Sequence, residues 1–322
     1  MSTNHITKVA IVGAGGRSGG AMTAELLKTG KHTVTAITRQ DSTSPLPEGV
    51  KVAKVNYDDQ STLVDALKGQ DALIITMGTQ APADTQLKLI RAAAEAGVKW
   101  ICPNEWGPDS ANPDLCKDVS LFAHASGPRD EIKKLGKSSY LAVVCGFWYE
   151  WSLAITDSYG FDFANKTVTF FDDGETKTNT STWPQVGRAV AGLLSLPITA
   201  EGGDQERCLD HFRDQMVYIS SFTVSQHDML ASVLRVSGDK ESDWTIKKEG
   251  AEERYKAAAE AMKKGDRLAY VRTMYTRVFY ADDSGNYGKT KGLANEFLGL
   301  PEENIDEATK IAMDRAKGNP YA

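Results

Sequence analysis

Seven residues, Gly13-Ala14-Gly15-Gly16-Arg17-Ser18-Gly19, directly follow the apolar run Val9–Val12 and constrain the fold more than any other stretch. Glycines at 13, 16 and 19 give a G-x-x-G-x-x-G spacing, and Gly15 adds the G-x-G variant. Gly13 lets the chain turn sharply out of a strand. Gly15 or Gly16 lets the backbone approach a pyrophosphate, and Gly19 lets the next helix close on the sheet. Backbone N–H groups at the start of that helix then face the phosphates. A strand before and an apolar helix over Ala21–Lys28 supply the context the motif requires. The spacing implies a dinucleotide-binding loop, with Gly13, Gly15, Gly16, Arg17, Ser18 and Gly19 as its contacts.

The rest of the first half repeats the same rhythm. β-branched, apolar runs at Lys8–Val12, Thr33–Thr38, Val50–Val55, Ala72–Met77, Val98–Cys102 and Tyr140–Cys145 read as strands. Helical patterns fall between them at Gly19–Lys28, Ser61–Leu67, Thr85–Ala96 and Arg129–Leu135. Short strands apolar on both faces and separated by helices indicate a parallel sheet covered on both sides. Ser61 reads as an N-cap, and Gly30, Gly69 and Gly97 close helices where a left-handed residue is wanted. The fold class is therefore α/β, a Rossmann-type doubly wound parallel sheet.

After Cys145 the rhythm changes. Thr167–Phe171 reads as a strand and Asp172-Asp173-Gly174 as a turn. Helices follow at Pro184–Leu196, Ser225–Leu234, Ala251–Lys263 and Ile305–Lys317. No linker or repeat separates the halves, so a smaller, interleaved C-terminal substrate lobe is expected. The expected division is residues 1–160, with 180–220 returning to them, and a second lobe of 161–179 and 221–322.

Composition removes several classes of function. With 37 basic and 43 acidic residues the net charge is −6, which gives no footprint for nucleic acid or anionic membrane. No stretch approaches the ~20 apolar residues of a membrane span, and the N-terminus lacks the pattern of a signal peptide. Cys102, Cys116, Cys145 and Cys208 are scattered without a C-x-x-C and read as reduced, mostly buried thiols, as in the cytoplasm. The chain shows no metal-ligand spacing and no serine-hydrolase motif. The partners expected are a small molecule and at most a second copy, so a monomer or homodimer.

The second strand decides which dinucleotide. NAD selectivity calls for an acidic residue about 20 residues beyond the glycines, where it holds the ribose 2′-OH. Arg39 stands there instead, and an arginine suits a 2′-phosphate through charge-assisted hydrogen bonds. Arg17 adds to this, and NADP(H) is the cofactor expected, with Asp41 keeping NAD as the minority reading.

The loop at 13–19, Arg39, and Pro103-Asn104-Glu105-Trp106-Gly107 after the fifth strand carry a family resemblance. The chain resembles the atypical short-chain dehydrogenase/reductase group that contains NmrA-like proteins and isoflavone reductase-like enzymes, particularly their fungal members. The 103–107 segment is similar to that family's P-S-E-F-G. Gly146–Glu150 and the Phe171–Gly174 turn also resemble family elements, and the match weakens beyond about residue 200. The resemblance implies that Thr76, Met77 and Gly78 border the cofactor, that Pro103 and Asn104 lie near the nicotinamide, and that Asp58 lies near the adenine. It also implies that Trp106, Phe147 and Trp148 wall a substrate pocket.

At one point the chain departs from the family. Its reductases carry a lysine on the helix after the P-S-E-F-G-like segment, yet no lysine occurs from Asp118 to Ile132. The helix is expected to start at Pro128, with Ser126 as its cap and His124 in a loop at the pocket edge. His124, Arg129 and Glu105 are then the acid–base candidates, with Glu105 also suited to bonding the loop backbone. Tyr287-Gly288-Lys289-Thr290-Lys291 fits a Y-x-x-x-K pattern but lies far from where that motif works, and reads as a chance match. The resemblance favours an NADPH-dependent reductase of a small aromatic or heterocyclic enone, carbonyl or iminium substrate, in secondary metabolism, with a remodelled proton-transfer site. Two alternatives stand beside it: a redox-neutral cyclase, isomerase or dehydratase that retains NADP, and an NADP redox sensor of NmrA type.

Overall fold

Strands and helices alternate from the first apolar run onward. In chain order they are β1 (Lys8–Val12), α1 (Arg17–Lys28), β2 (Thr33–Arg39), β3 (Lys51–Val55), α2 (Gln60–Leu67), β4 (Ala72–Ile75), α3 (Thr85–Ala96) and β5 (Trp100–Cys102). There follow α4 (Pro113–Asp118), α5 (Ser120–His124), α6 (Ser126–Leu135), β6 (Ser139–Val144), β7 (Phe147–Trp148), α7 (Tyr149–Ser152), α8 (Thr156–Tyr159), β8 (Phe161–Asp162), β9 (Thr167–Phe171) and β10 (Thr178–Ser181). The remainder comprises α9 (Trp183–Leu194), β11 (Gln215–Tyr218), β12 (Phe222–Val224), α10 (Gln226–Ser237), β13 (Thr245–Glu249), α11 (Ala251–Lys263), α12 (Ala269–Arg277), α13 (Tyr287–Lys291) and α14 (Ile305–Ala316). The structure, a computed structural model, describes residues 4–78, 80–202, 206–266 and 268–320.

Among the described residues seven strands form one sheet in the order β11-β6-β5-β4-β1-β2-β3, every neighbouring pair parallel. β4, β5 and β6 are buried along their whole length, as strands covered on both faces must be. On one face α1 and α9 cover the sheet through Met22, Leu26, Val186, Val190 and Leu194. On the other face α2, α3 and α6 do so through Leu63, Leu67, Leu89, Ile90 and Ile132. Gly187 permits the close crossing of α9 on α1, because a Cβ there would stand 2.6 Å from the Ala21 carbonyl oxygen. β11 reaches the sheet edge from the second half of the chain. A second apolar core gathers β8, β9, α10 and α12 around Phe161, Phe170, Phe171, Met229 and Tyr275.

The expected strands and helices all form, with shifted ends. Ser61 is not the cap of α2. Asp59 is, accepting hydrogen bonds from the Ser61 backbone N–H at 3.0 Å and its hydroxyl at 2.7 Å, and a carboxylate there also suits the helix dipole. The helix expected from Pro128 begins two residues earlier, at Ser126, entered from the preceding turn without a side-chain cap. Pro128 still falls in the first turn, where its missing N–H costs nothing. His124 accordingly ends the short helix α5 and does not lie in a loop.

Candidate active site

The chain runs outward from the middle of the sheet in both directions, and the order reverses between β1 and β4. Ligands of open α/β sheets sit at such a switch point, beyond the carboxyl ends of the strands. A cleft of about 790 Å³ opens there. Gly13, Gly16, Arg17, Ser18, Thr76, Met77 and Gly78 line one end. Trp106, Phe147, Trp148, Trp183, Met274 and Tyr275 form a mostly aromatic wall, Trp151 meets the glycine end through Arg17, and Asn104, Glu105, Ser110 and His124 also line the cleft.

The glycine end is backbone geometry. Gly13 has φ +80°, and a Cβ on it would lie 2.2 Å from the Thr76 carbonyl oxygen. A Cβ on Gly19 would meet the Gly13 carbonyl at 2.2 Å, so α1 closes on the turn only because both are glycine. Gly16 lines the cleft and caps α1 without a side-chain bond, and the helix's first turn carries no acidic residue. A Cβ on Gly15 would strike the Pro45 carbonyl at 2.3 Å, so this glycine also permits the close approach of the 45–46 segment. Exposed backbone at a helix start, without a competing carboxylate, fits a pyrophosphate. The Arg17 guanidinium lies 4.4 Å from the centre of the Trp151 ring, with Arg315 over the same ring at 5.3 Å. Burial and the charge of Arg315 push the Arg17 pKa down.

Asn104 ties the two strand ends beneath the cleft. Its side chain accepts from the Met77 N–H at 3.0 Å and donates to the Met77 carbonyl at 3.1 Å, while its own N–H donates to Gln86 Oε1 at 2.7 Å. Trp106 is fixed by an indole N–H donated to the Ile75 carbonyl at 2.8 Å. Pro103 is buried behind them. Phe147 stacks on Tyr275 with ring centres 3.8 Å apart, and Trp148 and Trp183 lie 6.1 Å apart, so the far wall is a set of packed rings.

The remaining residues expected at the site fall in different places. Arg39 ends β2 with its side chain 71% exposed and 3.5 Å from Asp41. Asp58 is 87% exposed, 3.3 Å from Lys88, and outside the cleft wall. His124 lines the cleft at an exposed position. Arg129 does not line it: the guanidinium is held 3.2 Å from Glu105 Oε2 and donates to the Ser110 carbonyl at 3.2 Å. Glu105 is 7% exposed and does not bond the loop backbone through its carboxylate. Its Oε2 accepts from the Ser110 hydroxyl at 2.7 Å, and Oε1 has no partner. Burial raises its pKa to about 7, against the opposing pull of Ser110 and Arg129. Tyr287 is buried and donates to the Ile219 carbonyl at 2.7 Å, far from any proton-transfer role.

Sequence reasoning missed Ser110, Gln86, Trp151, Trp183, Met274 and Tyr275. Trp151 carried a faint signal, since it follows closely on Phe147 and Trp148 after the sixth strand. Trp183, Ser110, Met274 and Tyr275 carried none. Among the described residues no group of His, Cys, Asp or Glu could hold a metal ion, and no helix is long and apolar enough to cross a membrane.

Similar proteins agree with this architecture. Residues 6–154 match the model of the NmrA-like family. The oxidoreductase aprR of Aspergillus flavus is 29% identical over 304 residues, covering 93% of this chain and 96% of that one. An isoflavone reductase homolog of Zea mays is 33% identical over 154 residues, 44% of this chain and 49% of its own. An NADPH-dependent quinone oxidoreductase from Escherichia coli superposes with a TM-score of 0.68 over 94% of this chain and 98% of that one, at 19% identity, which speaks for the fold alone. Through residues 6–154, which hold the glycine loop, the strand order around it and the 103–107 segment, the chain is similar to the NmrA-like family and, over less than half its length, to an isoflavone reductase homolog.

Proposed function

We propose that the protein is an NADPH-dependent reductase of a small, planar aromatic or heterocyclic substrate carrying an enone, carbonyl or iminium group. One observation carries the reading: a single cleft joins a pyrophosphate-fitted glycine loop to a wall of packed aromatic rings. Gly13, Gly16, Ser18 and Arg17 hold the pyrophosphate, with Gly15 and Gly19 shaping the loop. Arg39 at the rim of β2 takes a 2′-phosphate, with Asp58 toward the adenine. Thr76, Met77 and Gly78 border the cofactor, with Pro103 and Asn104 near the nicotinamide. When bound, the reduced dinucleotide supplies a hydride. Trp106, Phe147 and Trp148 sandwich the planar acceptor and exclude water, and His124 stands at the exposed rim.

The names of the relatives support a reductase, and the isoflavone reductase homologs support an aromatic substrate of the kind met in secondary metabolism. Cys102, Cys145 and Cys208 are buried, which suits the cytoplasm. We also assign 1–160 with 180–220 to dinucleotide binding and the remainder to a substrate lobe, a division supported by α9 and β11 packing on the parallel sheet.

The test is absorbance-monitored oxidation of NADPH and NADH against a panel of quinones, enones and imines, with product analysis using deuterated NADPH. NADPH-selective oxidation with deuterium in the product is expected. NADPH binding without oxidation across the panel would sink the reductase and leave a redox-neutral enzyme or a dinucleotide sensor.

A further inference from the structure

The cleft carries a proton-delivery device in the region where the family's lysine is missing. Ser110 and Glu105 both line the cleft, and both are buried. They are joined by a 2.7 Å O···O hydrogen bond, and the second carboxyl oxygen, Oε1, has no partner. Arg129 clamps the pair from behind, 3.2 Å from the carboxyl and 3.2 Å from the Ser110 carbonyl oxygen. The loop that bears them is pinned to the end of β6, because the Gly107 carbonyl accepts from the N–H groups of Cys145 and Gly146 at 3.1 Å. No stability argument requires a carboxyl with an unbonded buried oxygen at a cleft wall, and such a group is costly unless it is used.

We propose that Ser110 and Glu105 form the proton-delivery unit of this cleft, the Ser110 hydroxyl giving the proton to the substrate and the Glu105 carboxyl replacing it. The inference rests on the reductase reading above. A hydroxyl–carboxyl contact of this length serves in either direction. With Glu105 ionised, Ser110 spends its hydrogen on the carboxylate. With Glu105 protonated, the carboxyl donates and the serine hydrogen is released toward the cleft. In the reaction the acceptor carbon of a C=O or C=C gains hydride from the reduced dinucleotide, and the π pair moves to the oxygen or the α-carbon. That pair forms a bond to the Ser110 proton as the Ser110 O–H breaks, and the Glu105 O–H breaks to restore it. Glu105 is left a carboxylate beside the Arg129 guanidinium and regains its proton from solvent. The sum is acceptor, NADPH and one proton giving reduced acceptor and NADP⁺. An iminium acceptor takes the hydride without needing the proton.

The charged and titratable groups around Glu105 set the pH at which it works. Arg129 of α6 favours the carboxylate, Asp130 of the same helix opposes it, and burial keeps the carboxyl protonated up to about 7. Cys116 of α4 and Asp109 of the loop lie close enough to share the field of this pair, and both titrate above their ordinary values. His124 faces the same cleft from α5 at an exposed position.

Two measurements test this. The first is carboxyl ¹³C NMR or infrared titration of the unliganded full chain, wild type against Glu105→Gln, in which one carboxyl titrating near pH 7 disappears in the variant. A Glu105 already ionised at pH 5 overturns the proposal. The second compares acceptors: Ser110→Ala and Glu105→Gln should lower the enone-to-iminium rate ratio about 100-fold, and Ser110→Thr should restore most of it. The wild-type enone rate should fall as pH rises through about 7, and Glu105→Gln should lose that inflection. An unchanged ratio in both variants overturns the proton-delivery unit alone. Wild-type protein that binds NADPH yet oxidises it with none of the acceptors overturns the reductase reading and the unit with it.

Discussion

The two ends of the cleft are built by different means. At the glycine end the chain's own backbone makes the site: Gly13 and Gly19 are defined by what a Cβ would strike, and seven consecutive residues carry nearly all of it. At the aromatic end no backbone pattern exists. Trp106, Phe147, Trp148, Trp183 and Tyr275 come from four separate segments and meet only after the second half of the chain has folded back. A site made of backbone tolerates almost no substitution and advertises itself by spacing. A site made of side chains can change its occupant residue by residue, which is how one dinucleotide fold hosts many substrates.

The comparison breaks most easily at Gly13. Replacing it with Ala puts a Cβ 2.2 Å from the Thr76 carbonyl on a residue at φ +80°. Backbone must move, and strain of this kind costs about 3 kcal/mol. NADPH affinity should fall at least tenfold in a fluorescence titration, with a lower melting midpoint. A variant that binds and melts like wild type would show that the turn is not what holds the dinucleotide.

Arg39→Ala sharpens the same end. A charge-assisted hydrogen bond to a 2′-phosphate contributes roughly 1.5–3 kcal/mol, so NADPH should bind about 10- to 100-fold more weakly. NADH, which lacks that phosphate, should bind unchanged. Equal losses for both dinucleotides would mean that Arg39, already 3.5 Å from Asp41, serves only the loop.

At the other end Trp148→Ala should separate substrate from cofactor. An aromatic contact of this type is worth about 0.5–1.5 kcal/mol beyond its buried area. The substrate KM should rise about tenfold while the NADPH dissociation constant moves less than twofold. If both rise together, the ring wall belongs to the cofactor end and the contrast between the two ends fails.

The same contrast explains what was legible beforehand. The parallel sheet could be read because β1, β4, β5 and β6 are short apolar runs between helices, and burial on both faces leaves that mark in any order of residues. Helix starts were less legible. Asp59 and Ser61 both suit a cap, and only the geometry of the carboxylate decides between them. Arg129 could be read as an acid–base candidate but not paired with Glu105, because whether a guanidinium faces a cleft or a buried partner depends on a rotation no spacing encodes. Ser110 was invisible, since its role comes from an oxygen 2.7 Å away and not from its neighbours in sequence.

The smallest expected effect concerns Glu150, a buried carboxyl bonded to the aromatic end. Its Oε1 accepts from the Trp183 N–H at 2.9 Å, fixing the start of α9 under the ring wall, while Oε2 has no partner. Burial raises its pKa from 4.5 to about 7. The folded chain therefore keeps a proton that the unfolded chain releases, so this contribution is fully present below about pH 4.5 and is lost as pH rises through 7. Between about pH 6 and pH 7 the loss integrates to about 1 kcal/mol, or ~2–4 °C in melting midpoint for domains of comparable size. Glu150→Gln has nothing to titrate and should melt at the same temperature across that window, once the shared contribution of Glu105 is removed in a double variant. A slope unchanged in Glu150→Gln would mean that this carboxyl is ionised in the fold, and that the Trp183 N–H is held by a charge instead of a neutral acid.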